Sequence, residues 1–245
     1  MRPELVHTPC VPSQHQNRFT MNLFYKLENL HKSGSFKERG SLNALQLLPL
    51  DKKKIGVAIA SVGNEAAGLC YHASKMGVPV FVVMPFSVAI NKMQTLHSLG
   101  AKVVIQGANL MESQKHARAL ARDRGLTYIN GRDHPHVLAG YGTVALEILE
   151  QVPAVEAVIL PVGSGGLAAA VTKVIKQLKP TCLVYGVQPE INPGFVKALE
   201  MEDLQVSPQH PTLADSIAVP NIGCNAFANT LPLLDKMVNS WNPSY

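Results

Sequence analysis

The chain has 245 residues, 47% of them apolar and 16% charged, the balance of an ordinary soluble globular protein and not of a disordered tail or a collagen-like fibre. A chain of this length buries roughly 70% or more of its unfolded surface, so it needs neither a metal nor a disulfide for stability. Its net charge of +5 comes from 22 Lys and Arg against 17 Asp and Glu, scattered and with no basic run longer than Lys52-Lys53-Lys54, so nucleic acid is not an expected partner.

The first residues, Met1 to His7, lack the apolar stretch of a signal peptide. No uncharged apolar run reaches the roughly 18 residues of a membrane span. The expectation is a cytoplasmic chain with no membrane contact. Cys10, Cys70, Cys182 and Cys224 lie far apart, with no C-x-x-C and no zinc-type histidine spacing, and read as reduced thiols.

Short apolar runs alternate with segments of helical period, and each run ends on a Gly, Pro or Asn signal, the rhythm of an α/β fold. Strands are predicted over 23–27, 55–60, 78–84, 102–106, 126–129, 157–162 and 183–188; many are rich in Val and Ile without polar alternation, as buried parallel strands are. Helices are predicted over 36–48, 65–76, 90–99, 111–124, 136–150 and 167–178 from apolar i, i+3, i+4 spacing. The helix over 111–124 carries Lys115, Arg118, Arg122 and Arg124, a solvated face. There is no internal repeat and no low-complexity linker, so a second domain is expected to interleave with the first.

Three constellations can carry chemistry. In Ser33-Gly34-Ser35-Phe36-Lys37-Glu38-Arg39-Gly40, Ser35 and Glu38 fit an S-x-x-E capping box that starts a helix at Phe36. Lys37 then stands in the first turn, where the macrodipole and Arg39 disfavour an ammonium and favour the neutral amine a Schiff-base nucleophile needs. A capped surface helix with a solvated lysine is the plain alternative. In Leu160-Pro161-Val162-Gly163-Ser164-Gly165-Gly166-Leu167 a strand meets a glycine-rich turn and a helix start, a geometry that turns free N–H groups on a phosphate. Gly163, Gly165 and Ala168 also read as G-x-G-x-x-A, with Glu190 downstream where a dinucleotide fold holds a ribose; a structural tight turn is the other alternative. The third, Ala60-Ser61-Val62-Gly63-Asn64-Glu65-Ala66-Ala67-Gly68, joins a strand to a helix start through a Gly/Asn turn, a second anion cradle or an ordinary loop. An activated lysine with two anion sites is what binding a phosphorylated aldehyde cofactor and an amino-acid carboxylate together requires.

The runs S-G-S-F-K-E-R-G, A-S-V-G-N, G-Y-G-T-V-A-L-E, P-V-G-S-G-G-L and T-L-A-D-S-I-A-V occur in that order and resemble the fold type II pyridoxal-phosphate enzymes, most of all the serine/threonine ammonia-lyases (dehydratases) and serine racemase. The likeness extends from Thr8 to about Val238. It implies two interleaved open α/β domains with mostly parallel sheets, tryptophan synthase β-like: residues 1–54 and 137–245 for the cofactor, 55–136 for the substrate loop. It implies that Lys37 holds pyridoxal 5'-phosphate as the internal aldimine, with Phe36 near the ring and Asn64 on its hydroxyl. Gly163, Ser164, Gly165, Gly166 and Leu167 would take the phosphate, and Ser61, Val62, Gly63 and Asn64 the substrate carboxylate. Lys37 would then remove the Cα proton, the β-hydroxyl would leave, and L-threonine or L-serine would yield a 2-oxo acid and ammonia.

The chain departs from that pattern in telling places. Val62 stands where racemases carry a proton-donating serine, which disfavours racemisation. Gln188 and Gly194 stand where metal-activated members carry carboxylates, so no divalent-cation site of that kind is expected. Arg132, Glu65 and Ser216 also replace other residue types, with substrate preference the property expected to change. The family continues past Val238 with an S-G-G-N-like motif on the pyridine nitrogen, whereas here Trp241-Asn242-Pro243-Ser244-Tyr245 follows; a fragment, a splice product or a degenerate relative is the expectation. An impaired paralogue, a β-replacement enzyme of the same fold and a nicotinamide oxidoreductase are the competing readings. The partner is a small amino acid, and the resemblance leaves a homodimer open.

Overall fold

The computed structural model describes residues 4–14, 21–204, 207 and 210–240; the 241–245 segment lies outside them. The chain forms two compact units, Met1–Gly140 and Tyr141–Tyr245. All four cysteines are free thiols, and burial pushes the Cys70 thiol up to about 12, which makes it inert at neutral pH.

The first unit opens on an antiparallel pair, β1 (Cys10–Pro12) and β2 (Phe24–Lys26), with Val11 opposite Tyr25. It continues through α1 (Lys37–Gln46), α2 (Leu50–Ile55), β3 (Val57–Ala60), α3 (Asn64–Lys75), β4 (Val80–Met84), α4 (Ile90–Ser98), β5 (Lys102–Ile105), α5 (Leu110–Arg124), β6 (Thr127–Tyr128) and α6 (Pro135–Tyr141). The four strands β5-β4-β3-β6 form one parallel sheet. Every residue of β3 and β4 is buried, which is why these runs are apolar throughout. The small residues Ala117 and Ala121 of α5 let that helix sit closely on Ala58, Ala60, Phe81 and Val83. Its start is fixed by Asn109, whose Oδ1 accepts the Glu112 N–H at 3.0 Å, and its end by Gly125 in the left-handed region at φ 68°. Lys115, Arg118, Arg122 and Arg124 are exposed, but Arg118 and Arg124 lay their guanidinium groups over the rings of Tyr128 and Phe81, at 4.6 and 5.2 Å, so only part of that charge forms a solvated face.

The second unit contains α7 (Thr143–Gln151), β7 (Ala157–Pro161), α8 (Gly166–Leu178), β8 (Leu183–Pro189), α9 (Gly194–Met201), α10 (Cys224–Thr230) and β9 (Lys236–Ser240). Its strands form a parallel sheet in the order β7-β8-β9. Helix α8 buries Ala168, Ala169, Val171, Thr172 and Ile175, and α10 packs against it. Asp235 ties the sheet to α8: its Oδ2 accepts the Val184 N–H and pairs with Lys176 Nζ, each at 2.7 Å.

Four features differ from the sequence reading. Ile55 ends α2 instead of opening a strand. The helix predicted over 136–150 is interrupted at Gly142, giving α6 and α7. Near that break Gly140 lets the chain pass the backbone of α1, since a Cβ there would come within 2.7 Å of Gly40 Cα. Strand β7, apolar throughout, buries only Val158 and Leu160; Ile159 on the other face is 62% exposed. Five elements have no counterpart in the sequence reading: β1, α2, α9, α10 and β9.

Candidate active site

In the first unit, Lys37 is the first residue of α1. The expected capping box is rearranged. Ser35 Oγ accepts the Lys37 N–H at 3.1 Å, and the Glu38 carboxylate accepts the Ser33 N–H at 2.8 Å instead of that of Ser35. Glu38 is buried and meets His72 Nε2 of α3 at 3.1 Å. Burial alone would raise its carboxyl, but the bonds from His72 and Ser33 bring it to about 2. On the other side of Lys37, the guanidinium of Arg39, fully buried, meets Glu28 twice at 2.7 Å, through Nε and Nη2. Thr8 and His31 also bond to Glu28, and against its burial these partners hold that carboxyl at about 2 as well. The plain surface helix is thereby excluded: α1 is an inward-facing helix anchored on both sides of Lys37. Glu38, Leu42 and Leu45, all buried, share one stripe at i, i+4, i+7, and that continuation of the apolar face was the signal for Glu38. Nothing local pointed to Glu28 or His72.

The two neighbours also revise the expected electrostatics. Arg39 is matched by Glu28 and does not act as a bare cation beside the amine. Lys37 instead has a carboxylate close by: Glu65 Oε1 lies 3.3 Å from Nζ, with the two side chains 24% and 12% exposed. The ring of Phe36 stands 5.3 Å from the same nitrogen.

The turn that supplies Glu65 runs from β3 into α3. Ser61 is buried and its Oγ accepts the Gly63 N–H at 3.4 Å; Val62 is half-buried, and Gly63 and Asn64 are exposed. The N–H groups of Asn64, Glu65 and Ala66 donate to no acceptor among the described residues, the first such partner being Gly63 O for the Ala67 N–H. Gly68 brings α3 against α1, since a Cβ there would lie 3.1 Å from Glu38 Cα and 3.3 Å from Ser41 Oγ. Lys37, Phe36, Ser61, Val62, Gly63 and Asn64 therefore belong to one compact unit, with α1 and α3 packed directly on each other.

The glycine turn belongs to the second unit. After β7, Val162 is pinned by its N–H to Val187 O at 2.8 Å, and Gly165, at φ 91°, caps α8. Gly163 passes Ile217, whose Cα a Cβ would approach to 3.1 Å, and Gly165 passes the Phe195 ring. Ser164 O accepts the Gly223 N–H at 3.0 Å. The N–H groups of Ser164, Gly165, Gly166 and Leu167 have no acceptor among the described residues, and the first turn of α8 holds no acidic side chain. Free donors, a positive helix end and no competing carboxylate fit a phosphate group.

Gln188, in the position where a carboxylate would mark a cation site, is 2% exposed and fully engaged. Its Oε1 accepts the N–H groups of Phe195 and Val196 at 3.0 and 3.3 Å, opening α9, and its Nε2 donates to Val162 O. No group of three or more His, Cys, Asp or Glu side chains among the described residues is arranged to hold a metal ion, and no helix among them is long and apolar enough to cross a membrane.

A model of the pyridoxal-phosphate dependent enzyme family matches residues 1–240. The L-threonine ammonia-lyase of Thermotoga maritima is 38% identical over 216 residues, covering 88% of this chain and 54% of that protein. That of Geobacter sulfurreducens is 35% identical over 239 residues, covering 97% and 60%. Among solved structures, the processed form of threonine deaminase isoform 2 from Solanum lycopersicum superposes with a TM-score of 0.92 at 32% identity, over 97% of this chain and 69% of that one. The chain thus spans a little over half the length of the two ammonia-lyases it matches. Its α/β architecture, its parallel sheets and its match over nearly every residue place it in one group: the chain belongs to the pyridoxal-phosphate-dependent enzyme family.

Proposed function

We propose that the chain carries out pyridoxal-phosphate-dependent deamination of L-threonine or L-serine to a 2-oxo acid and ammonia. The observation that carries this reading is Lys37, a partly exposed amine at the head of an anchored helix and in the same compact unit as the Ser61–Glu65 turn. Lys37 Nζ is the group that holds the cofactor, with Phe36 beside it and Asn64 offering its carboxamide from an exposed position. Gly163, Ser164, Gly165, Gly166 and Leu167 hold the phosphate through main-chain N–H groups. Ser61, Gly63 and Asn64, with the backbone at Val62, receive the substrate carboxylate. This reading assigns residues 1–54 and 137–245 to cofactor binding and 55–136 to the substrate loop.

When bound, pyridoxal phosphate supplies a conjugated system that takes up the electron pair left on breaking the Cα–H bond. The chain's part is positioning and proton transfer. Lys37 Nζ accepts the Cα proton. The free N–H groups at the start of α3 fix the carboxylate, and with it the angle at which that proton is presented. Val62 places an aliphatic side chain where return of a proton to the opposite face would need a donor, which favours elimination over racemisation. A cytoplasmic location and a homodimer complete the proposal.

The test uses the full chain incubated with pyridoxal phosphate. A protein-bound cofactor absorption band should appear and be lost in Lys37→Ala, and L-threonine should yield 2-oxobutyrate. A colourless protein, or a band that survives Lys37→Ala, overturns the assignment.

A further inference from the structure

Glu65 is built into its place beside Lys37. It is the second residue of α3, where the helix dipole favours a carboxylate. The space it fills exists because residue 131 is glycine: a Cβ there would fall 2.6 Å from Glu65 Cγ and 2.7 Å from its Oε1. Tyr128, half-buried, lies within electrostatic reach of Glu65, Arg118 and Arg132. Lys37 Nζ stands 3.3 Å from the carboxylate, and the pair is largely sheltered from water, so screening weakens it less than an exposed pair.

Resting on the assignment of Lys37 as the cofactor lysine, we propose that Glu65 is a positioning residue that gates capture of the aldehyde: it holds Nζ in an ion pair in the cofactor-free chain and must release it before the nitrogen can attack. An ammonium has no lone pair to offer. In the capture step Nζ gives one proton to Glu65 Oε1, and its lone pair bonds the aldehyde carbon. The two hydrogens left on the nitrogen pass to the aldehyde oxygen, which leaves as water as the carbon–nitrogen double bond forms, and Glu65 passes its proton to solvent. The amine is thereby kept at the head of α1, in reserve and unreactive towards adventitious aldehydes.

The test measures covalent capture without turnover. Cofactor-free full-length chain is mixed with pyridoxal phosphate or with pyridoxal, aliquots are fixed with borohydride, and the mass gain on the Lys37 peptide is followed in time. Glu65→Gln keeps the shape and removes the charge; it should raise the capture rate roughly fivefold for both aldehydes, and Glu65→Asp should bring the slow rate back. Gly131→Ala, which crowds Glu65 out of its space, should raise the rate by an independent route and serves if Glu65→Gln does not fold. A merely structural role would lower the rate and not raise it. An unchanged or slower rate in the variants overturns the proposal, as does a gain confined to pyridoxal phosphate, which would make Glu65 only a repeller of the phosphate. Absence of any adduct on Lys37 in the unaltered chain defeats the cofactor assignment and the gate with it, a result distinct from an adduct formed at an unaltered rate.

Discussion

The β3-to-α3 turn and the β7-to-α8 turn are built on one plan and charged differently. Each follows a parallel strand, passes through glycine and presents free N–H groups at a helix start. The first adds Glu65 within its opening turn; the second adds no acidic side chain and runs straight into Gly166, Leu167 and Ala168. The donors are interchangeable, so side-chain charge distinguishes the turns: only the first sets a carboxylate beside its free N–H groups. The supports differ too. Behind the first turn stand buried ionic networks around Glu28 and Glu38; behind the second stand apolar side chains and the more exposed pair of Asp235 with Lys176.

This contrast can be broken first at Gly165. A valine there must adopt φ 91° and drive its side chain into Phe195; the expected cost is about 3 kcal/mol of stability, with affinity for pyridoxal phosphate falling roughly a hundredfold. Isothermal titration set against pyridoxal, which lacks the phosphate, checks it, since pyridoxal should lose far less. Acid separates the two supports. Glu28 and Glu38 lie at about 2 against an ordinary 4.5, so their contribution is complete above that ordinary value and is lost as pH falls towards the lower one, at about 3 kcal/mol per carboxylate. Peptic cleavage should therefore reach α1 and α3 before α8 as the pH is lowered. The mildest change makes the second turn resemble the first: Leu167→Glu places a carboxylate beside the free N–H groups and should weaken pyridoxal phosphate binding about tenfold, measured by the same titration with little change in pyridoxal binding.

Much of the first unit was legible because its signals are local. The runs of β3 and β4 are apolar at every position because both faces are covered, and α5 carries its own cap and its own glycine stop. What escaped notice depends on residues distant in the chain. Helix α9 opens on donors satisfied by Gln188, several positions upstream, so no capping residue announces it. Strand β9, Lys-Met-Val-Asn-Ser, is short and partly polar, and it exists as a strand because β8 pairs with it in parallel. Strand β7 misled in the opposite direction: its apolar chemistry suggested two covered faces, and Ile159 stands exposed on one of them. In the candidate site, both turns were readable from strand–glycine–helix order, and the place of Lys37 at a helix start from the spacing of Ser35 and Glu38. The contact between Lys37 and Glu65 was not, because it spans 28 positions and depends on the missing side chain of Gly131.

The anchoring of Glu38 and Arg39 has a geometric corollary. Each step along an α-helix turns about 100°, and with residues 38 and 39 both locked inward, the azimuth of α1 is clamped by oppositely charged pins. A rotation that carried the amine to another bearing would have to unplug one of them. A lysine transplanted to position 36 or 40 would look in a different direction, so the bearing of Lys37 belongs to one rung of this helix and cannot be shared with its neighbours.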